Sequence, residues 1–159
     1  MTDSQLPISA WRTVLEGQSA LMRLYEQELR DGVEITLGWY DVLIQLAESP
    51  ERSLRMSELA DRLLLSPSWL TRRIDGMVAA GVIQRGRCPE DGRGVTVSLT
   101  PVGEHLYRRA ARVHGRSIRE HFLDLLEPAE AETLVECFAR VGAHARAELT
   151  NQAPTKTRS

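Results

Sequence analysis

Lysine is nearly missing from these 159 residues: the one lysine is Lys156, and every other side chain with a permanent positive charge is an arginine. Cysteine is scarce too. Cys88 and Cys137 stand alone, with no CxxC and no Cys/His ligand spacing, which excludes a disulfide framework and a structural zinc site. Aromatic residues make up 5% of the chain, too few for a typical β-sandwich, while Leu and Ala recur at helical spacing. Long apolar runs are absent. Stretches such as MVAAGVI fall far short of a membrane span, and the opening MTDSQLPIS lacks the basic segment and apolar core of a secretory signal, so the expected location is cytoplasmic. There is no G-x-S-x-G, P-loop, G-x-G-x-x-G or H-E-x-x-H, and hence no expected enzyme activity, cofactor or metal. His105, His114 and His121 share one predicted helix at spacings of 9 and 7 and read as polar-face residues.

The charge that is present is unevenly placed. A formal net charge of −2 conceals 3 Arg against 8 acidic residues in 1–50, 13 against 8 in 51–121, and 2 against 6 in 122–149. A basic middle lies between acidic ends, which matters more for partner choice than the total. Arginine suits bidentate contact with phosphates and guanine edges. GC-rich codon usage produces the same bias, so position has to decide.

Hydrophobic period and turn residues divide the chain into a single domain. Trp11, Val14, Leu15, Leu21, Met22, Tyr25 and Leu29 form one helical stripe over 9–29, broken by RDGVEI. Thr36 can cap a second helix that ends before Ser49-Pro50. Residues 54–56 suggest a short strand, and Ser57 opens a short helix with Leu59, Leu63 and Leu64 inward. VIQRGR and VTVSL read as two strands joined by a loop containing CPEDGRG. Thr100-Pro101 starts a long helix, and a last one begins near Pro128, leaving 150–159 as a tail without expected order.

Between these elements lies SPSWLTRRIDG, residues 66–76. Ser66, pushed extended by the following proline, is a natural N-cap, and Pro67 occupies the first helical position, where its missing N–H costs nothing. Leu70, Ile74, Met77 and Val78 form the apolar stripe of a helix over 66–80 that Gly81 stops. At 100° per residue Arg72 points almost opposite that stripe, with Ser68, Gly76 and Ala79 beside it and Arg73 nearer the boundary. Helix, helix, capped helix and two-stranded ribbon, in that order, make a winged helix-turn-helix, whose capped helix enters the major groove while the ribbon reaches flanking backbone or minor groove. The fold class is therefore mainly α with a small β-hairpin wing. The DNA-binding lobe spans 36–100, and dimerisation helices at 9–29 and 101–149 carry stripes too long for one lobe to cover.

The segment SELADRLLLSPSWLTRRIDGMVAAGVIQRGRCPEDGRGVTVSLTPVG resembles the DNA-binding core of the MarR family of bacterial transcriptional regulators, through the helix-turn-helix, the wing and the LT-x-x-G that opens the next helix. The resemblance implies a homodimer on double-stranded DNA, with Arg93 of Asp91-Gly92-Arg93 inserted into the minor groove and Asp91 orienting it. It places Ser66, Ser68, Thr71 and Arg72 on the recognition helix and departs at Gly76, where many relatives are basic. With Trp69, Arg73, Arg85 and Arg87, these residues form the expected DNA-contacting set. Trp69 either meets a thymine methyl or folds onto the wing.

The expected function is a sequence-specific, ligand-responsive repressor on a pseudo-palindromic operator with half-sites about 10 bp apart. The alternative is a winged-helix protein-interaction module that does not bind DNA. Family relatives bind aromatic acids or phenols between the dimerisation helices and the DNA-binding lobe. Trp11, Trp39, Tyr40 and Tyr107 are the aromatic candidates here, with Arg12 or Arg109 for a carboxylate; Asp41 in WYDVL, taken with the arginines of 66–76, resembles the urate-responsive branch over a few residues. Cys88, near Arg85 and Arg87, raises a redox reading, although no second cysteine is close in sequence to resolve a sulfenic acid.

Overall fold

The computed structural model describes residues 6–87 and 94–152. Six helices and three strands follow in the order α1 (Leu6–Val33), α2 (Leu37–Glu48), β1 (Ser53–Arg55), α3 (Met56–Leu63), α4 (Pro67–Ala79), β2 (Ile83–Arg87), β3 (Val95–Leu99), α5 (Pro101–His121) and α6 (Pro128–Gln152). Contacts group the chain into two units, one reaching Ile118 and the other starting at Arg119.

The first unit is built around α2, α3, α4 and the sheet. Leu43, Leu46, Leu59, Leu70, Ile74, Met77, Ile83 and Val97 are all fully buried, joined by Leu29 from α1 and Ala110 from α5. Each large aliphatic side chain contributes about 1.5–3 kcal/mol by leaving water. The sheet has three strands rather than the hairpin alone, ordered β1-β3-β2 and antiparallel throughout, with Leu54 opposite Val97 and Arg85 opposite Val97 on the other side. The third strand caps the edge of the wing base, where Leu54 is buried.

Local signals explain most boundaries. Thr36 and Ser66, both extended, accept the backbone N–H of Trp39 at 3.1 Å and of Trp69 at 3.5 Å. Gly81 closes α4 at φ +70, with its own N–H on the Val78 carbonyl and the Val82 N–H on that of Met77, a Schellman pair of bonds. Thr100 receives the Gly103 N–H at 3.0 Å and donates its hydroxyl to Gly81 or Val82 carbonyls, so the cap of α5 also fastens it to the end of α4. Gly103 lies so close to the Val82 carbonyl that a side chain there would collide with backbone. That is the physical content of the glycine in LT-x-x-G.

Four expectations need correction. The first helix continues through RDGV to Val33, because Gly32 fits inside it facing Val113 of α5, and Glu34 at φ 60 supplies the stop. Ser57 is not the start of α3: Arg55 holds the extended N-cap position, and Ser57 is already helical. Leu64 does not face inward. It takes the left-handed conformation at the end of α3 (φ 53, ψ 36) and is 83% exposed, while Leu63 and Leu65 on either side pack against the core. Finally, α6 runs to Gln152, into the segment assigned to the tail; 153–159 lie outside the described residues.

In α1, every residue from Ile8 to Ala20 is exposed, Trp11, Val14 and Leu15 among them. In the second unit, Val135, Phe138, Val141 and Leu149 of α6 are exposed. None of the described helices is long and apolar enough to cross a membrane.

Candidate nucleic-acid interface

Helix α4 is two-faced. Leu70, Ile74 and Met77 are fully buried, which fixes the rotation of the helix and leaves Ser68, Trp69, Thr71, Arg72, Asp75 and Gly76 exposed on the other side. Its first turn concentrates hydroxyls. Ser66 Oγ and Ser68 Oγ are 3.2 Å apart, and Thr71 donates its hydroxyl to the Pro67 carbonyl at 2.8 Å, keeping its oxygen lone pairs free to accept. Trp69, 64% exposed, lines a cleft of about 280 Å³ with Thr36, Trp39, Arg72 and Arg73. It therefore stands on the α2 side of α4.

The arginines assigned to DNA do not all stand free. Arg72 is exposed and makes no ion pair among the described residues, and the same holds for Arg87 at the outer end of β2. Arg85 is committed: its Nη2 lies 2.7 Å from Asp75 Oδ1, joining β2 to α4. Arg73 is half-buried, with its guanidinium over Gly38 of α2. It acts on Asp41, whose carboxyl burial pushes above its usual value while Arg73 pulls it back and Glu26 adds to the rise. Asp91 and Arg93 of the wing, and Cys88 beside them, lie outside the described residues.

On the opposite side of α4, Thr71 and Arg85 share a groove with Arg55, Met56, Ser57, Gly94 and Val95. Gly76 is not simply bare: Trp39 Cζ2 lies 3.7 Å from where its Cβ would be, an ordinary van der Waals distance.

The residues expected to hold an effector separate into groups. Trp39 belongs to the cleft with Trp69 and the two arginines. Tyr40, buried, stacks on Tyr107 with ring centroids 6.3 Å apart, and its phenol is pushed up to about 12, first by burial and then by Tyr107, Glu48 and Asp41. His114 completes that cluster, edge-on to Tyr40 at 4.7 Å and to Tyr25 at 5.0 Å. Burial lowers its pKa, Glu28 partly opposing. This corrects the polar-face reading of His114, which came from helix position alone. Arg109 lines a different cleft, with Gly32, Val33, Arg112, Val113 and Arg116, and Trp11 and Arg12 stand exposed on α1. Among the described residues no group of His, Cys, Asp and Glu is arranged to hold a metal ion.

Sequence pattern missed Gly38 and Asp75. Asp75 and Arg85 carry a readable signal, opposite charges flanking a helix-to-strand turn, but Gly38 acquires meaning only from the Arg73 guanidinium that packs on it.

A buried helix pair, a capped and exposed third helix and a sheet-based ribbon define a winged helix-turn-helix protein. The chain belongs to the MarR family of transcriptional regulators: the family's sequence profile matches residues 32–94. AbsC, a MarR family transcriptional regulator from Streptomyces coelicolor, is similar over 92% of this chain and 97% of its own at 34% identity, with a TM-score of 0.85. Sco3205, a second such regulator of that organism solved in complex with DNA, is 30% identical over 89% of this chain and 88% of its own, with a TM-score of 0.81. The organic hydroperoxide resistance transcriptional regulator of Bacillus subtilis (strain 168) is 31% identical over 102 residues, 64% of this chain and 68% of that protein.

Proposed function

We propose that this protein represses transcription by binding, as a homodimer, a pseudo-palindromic operator in double-stranded DNA, and that a small aromatic acid or phenol releases it. The observation that carries the reading is α4 itself: Leu70, Ile74 and Met77 lock it into the core while Arg72 is presented outward and the Ser66/Ser68 hydroxyls stand at the positive end of the helix dipole. Similarity to a regulator solved in complex with DNA supports the same partner. The exposed apolar residues of α1 and α6 supply the surface for a second copy of the chain.

Dimerisation also answers an electrostatic need. The phosphate contacts that one protomer can offer, Arg87 among them, are few; two protomers double their number, and each adds about −0.9 to the slope of log K against log salt. The effector reading rests on the cleft of Thr36, Trp39, Trp69, Arg72 and Arg73, where two indoles flank two guanidinium groups. A planar carboxylate seated there would occupy Arg72 and so compete with DNA.

Affinity for genomic fragments recovered with the purified protein, measured across a salt series, tests the DNA reading. A flat or absent response removes it and favours the protein-interaction alternative. Quenching of tryptophan fluorescence by benzoate, lost in Trp39→Ala and accompanied by release of DNA, tests the effector site; quenching without release places the ligand elsewhere.

A further inference from the structure

Gly38 is the second residue of α2, a position where nothing in the backbone requires glycine, since its φ is not positive, and where glycine is a poor helix former. What requires it is on α4. A Cβ built on Gly38 would lie 2.6 Å from Cζ and Nη2 of Arg73 and 3.0 Å from Nη1, so the guanidinium rests directly on the bare Cα. Asp41, one helical turn further along α2, feels the same guanidinium. Arg72, next to it in sequence, is exposed without an ion pair among the described residues.

We propose that Gly38 is a specificity-determining position, which seats Arg73 on α2 so that Arg73 positions the recognition helix and is withheld from the DNA backbone, leaving Arg72 as the reading arginine of α4. The inference rests on the DNA-binding reading above. The physical reason is a division of labour between neighbouring cations. A phosphate contact strengthens binding to every sequence alike, whereas a tethered helix presents Arg72 to base edges in one register. A second free arginine on α4 would raise affinity for unrelated DNA and narrow the margin by which the operator is preferred. The seat also explains a glycine within a helix, because the atoms it accommodates belong to the tip of a flexible side chain; adding a methyl group expels the guanidinium without striking backbone.

The test compares the full-length protein with Gly38→Ala, Arg73→Gln and the double variant. Each binds a duplex of unrelated sequence and an operator fragment recovered with the wild type, at salt between about 50 and 200 mM. In Gly38→Ala the freed Arg73 steepens the slope on unrelated DNA by about 2 for a dimer, one added contact per protomer, and lowers the preference for operator. The double variant returns to the wild-type slope. Arg73→Gln alone leaves the slope on unrelated DNA unchanged and weakens operator binding. Melting of Gly38→Ala at or above the wild-type temperature shows that the seat, not the fold, has changed. An unchanged slope in Gly38→Ala, or a slope reduced by about 2 in Arg73→Gln, overturns the proposal, the latter because Arg73 would already be on phosphate. If the wild type shows no salt-dependent DNA binding, the DNA-binding reading fails and takes the proposal with it. A wild type that binds with variants that do not differ sinks the proposal alone.

Discussion

Leu64 carries two features that seldom coincide, a left-handed backbone (φ 53, ψ 36) and a large apolar side chain left 83% exposed. The left-handed region costs an L-residue with a Cβ about 1–2 kcal/mol, a cost glycine avoids. Glycine brings a penalty of its own, about 0.4–1 kcal/mol from the extra freedom of the unfolded chain. Little burial is lost with the side chain, so Leu64→Gly should stabilise the protein by roughly 0.5–1 kcal/mol, raising the melting temperature by about 2–4 °C per kcal/mol in a chain of this size. Leu64→Ala separates the two contributions, since it keeps the strain and removes the side chain; it should stay within about 0.5 kcal/mol of wild type. Thermal melting at one fixed protein concentration is the assay, because a dimer's melting point moves with concentration. A loss of about 2 kcal/mol or more in Leu64→Ala would refute the reasoning, for it would mean that the leucine is covered in solution.

Other consequences follow from single contacts. Gly103→Ala drives a methyl group into the Val82 carbonyl and should cost about 3 kcal/mol, seen as a lower denaturation midpoint with no change in cooperativity. His114 is held neutral by burial, so its folded pKa lies below the unfolded value of about 6.5; the unfolded chain binds the proton first, and stability present above that pH is lost as pH falls through the folded pKa. Denaturation of wild type and His114→Gln between about pH 7.5 and 5 should diverge in that direction, and parallel curves would show that His114 is solvated. Asp75→Asn releases Arg85 from an exposed pair, changing stability by no more than about 1 kcal/mol, while the slope for unrelated DNA steepens by about 2 per dimer; an unchanged slope would show that Arg85 reaches phosphate despite Asp75.

The parts of this fold that could be read beforehand are those decided within one turn of chain. The capping bonds at Ser66-Pro67, Thr100-Pro101 and Gly81 each close on backbone groups at most five residues away, and each boundary they mark lies within a residue or two of where it was expected. What escaped was decided across the fold. Gly32 looks like a helix breaker until Val113 is seen packed against it. The short strand expected at 54–56 is present as β1, but its pairing with β3 could not be read locally. Leu64 satisfies the leucine pattern of LLLS, yet the turn needs one residue in a left-handed conformation, and neither Leu63 nor Leu65 can leave the core to take it. In the site, Arg72 was distinguishable from Arg73 by helical phase, but only the seat at Gly38 shows where Arg73 goes. Arg85 looked like a free cation because its partner Asp75 lies on another element.

The central claim is that α4 reads DNA sequence through Arg72. It is tested most directly by measuring wild type and Arg72→Ala against an operator fragment and a panel of its single base-pair substitutions at one fixed salt concentration. The wild type should discriminate by about 1–3 kcal/mol at each contacted position, and Arg72→Ala should erase that discrimination at one base pair per half-site while keeping it elsewhere. If Arg72→Ala instead weakens every sequence by the same factor, Arg72 is a phosphate contact and the assignment of base reading to this side chain is wrong.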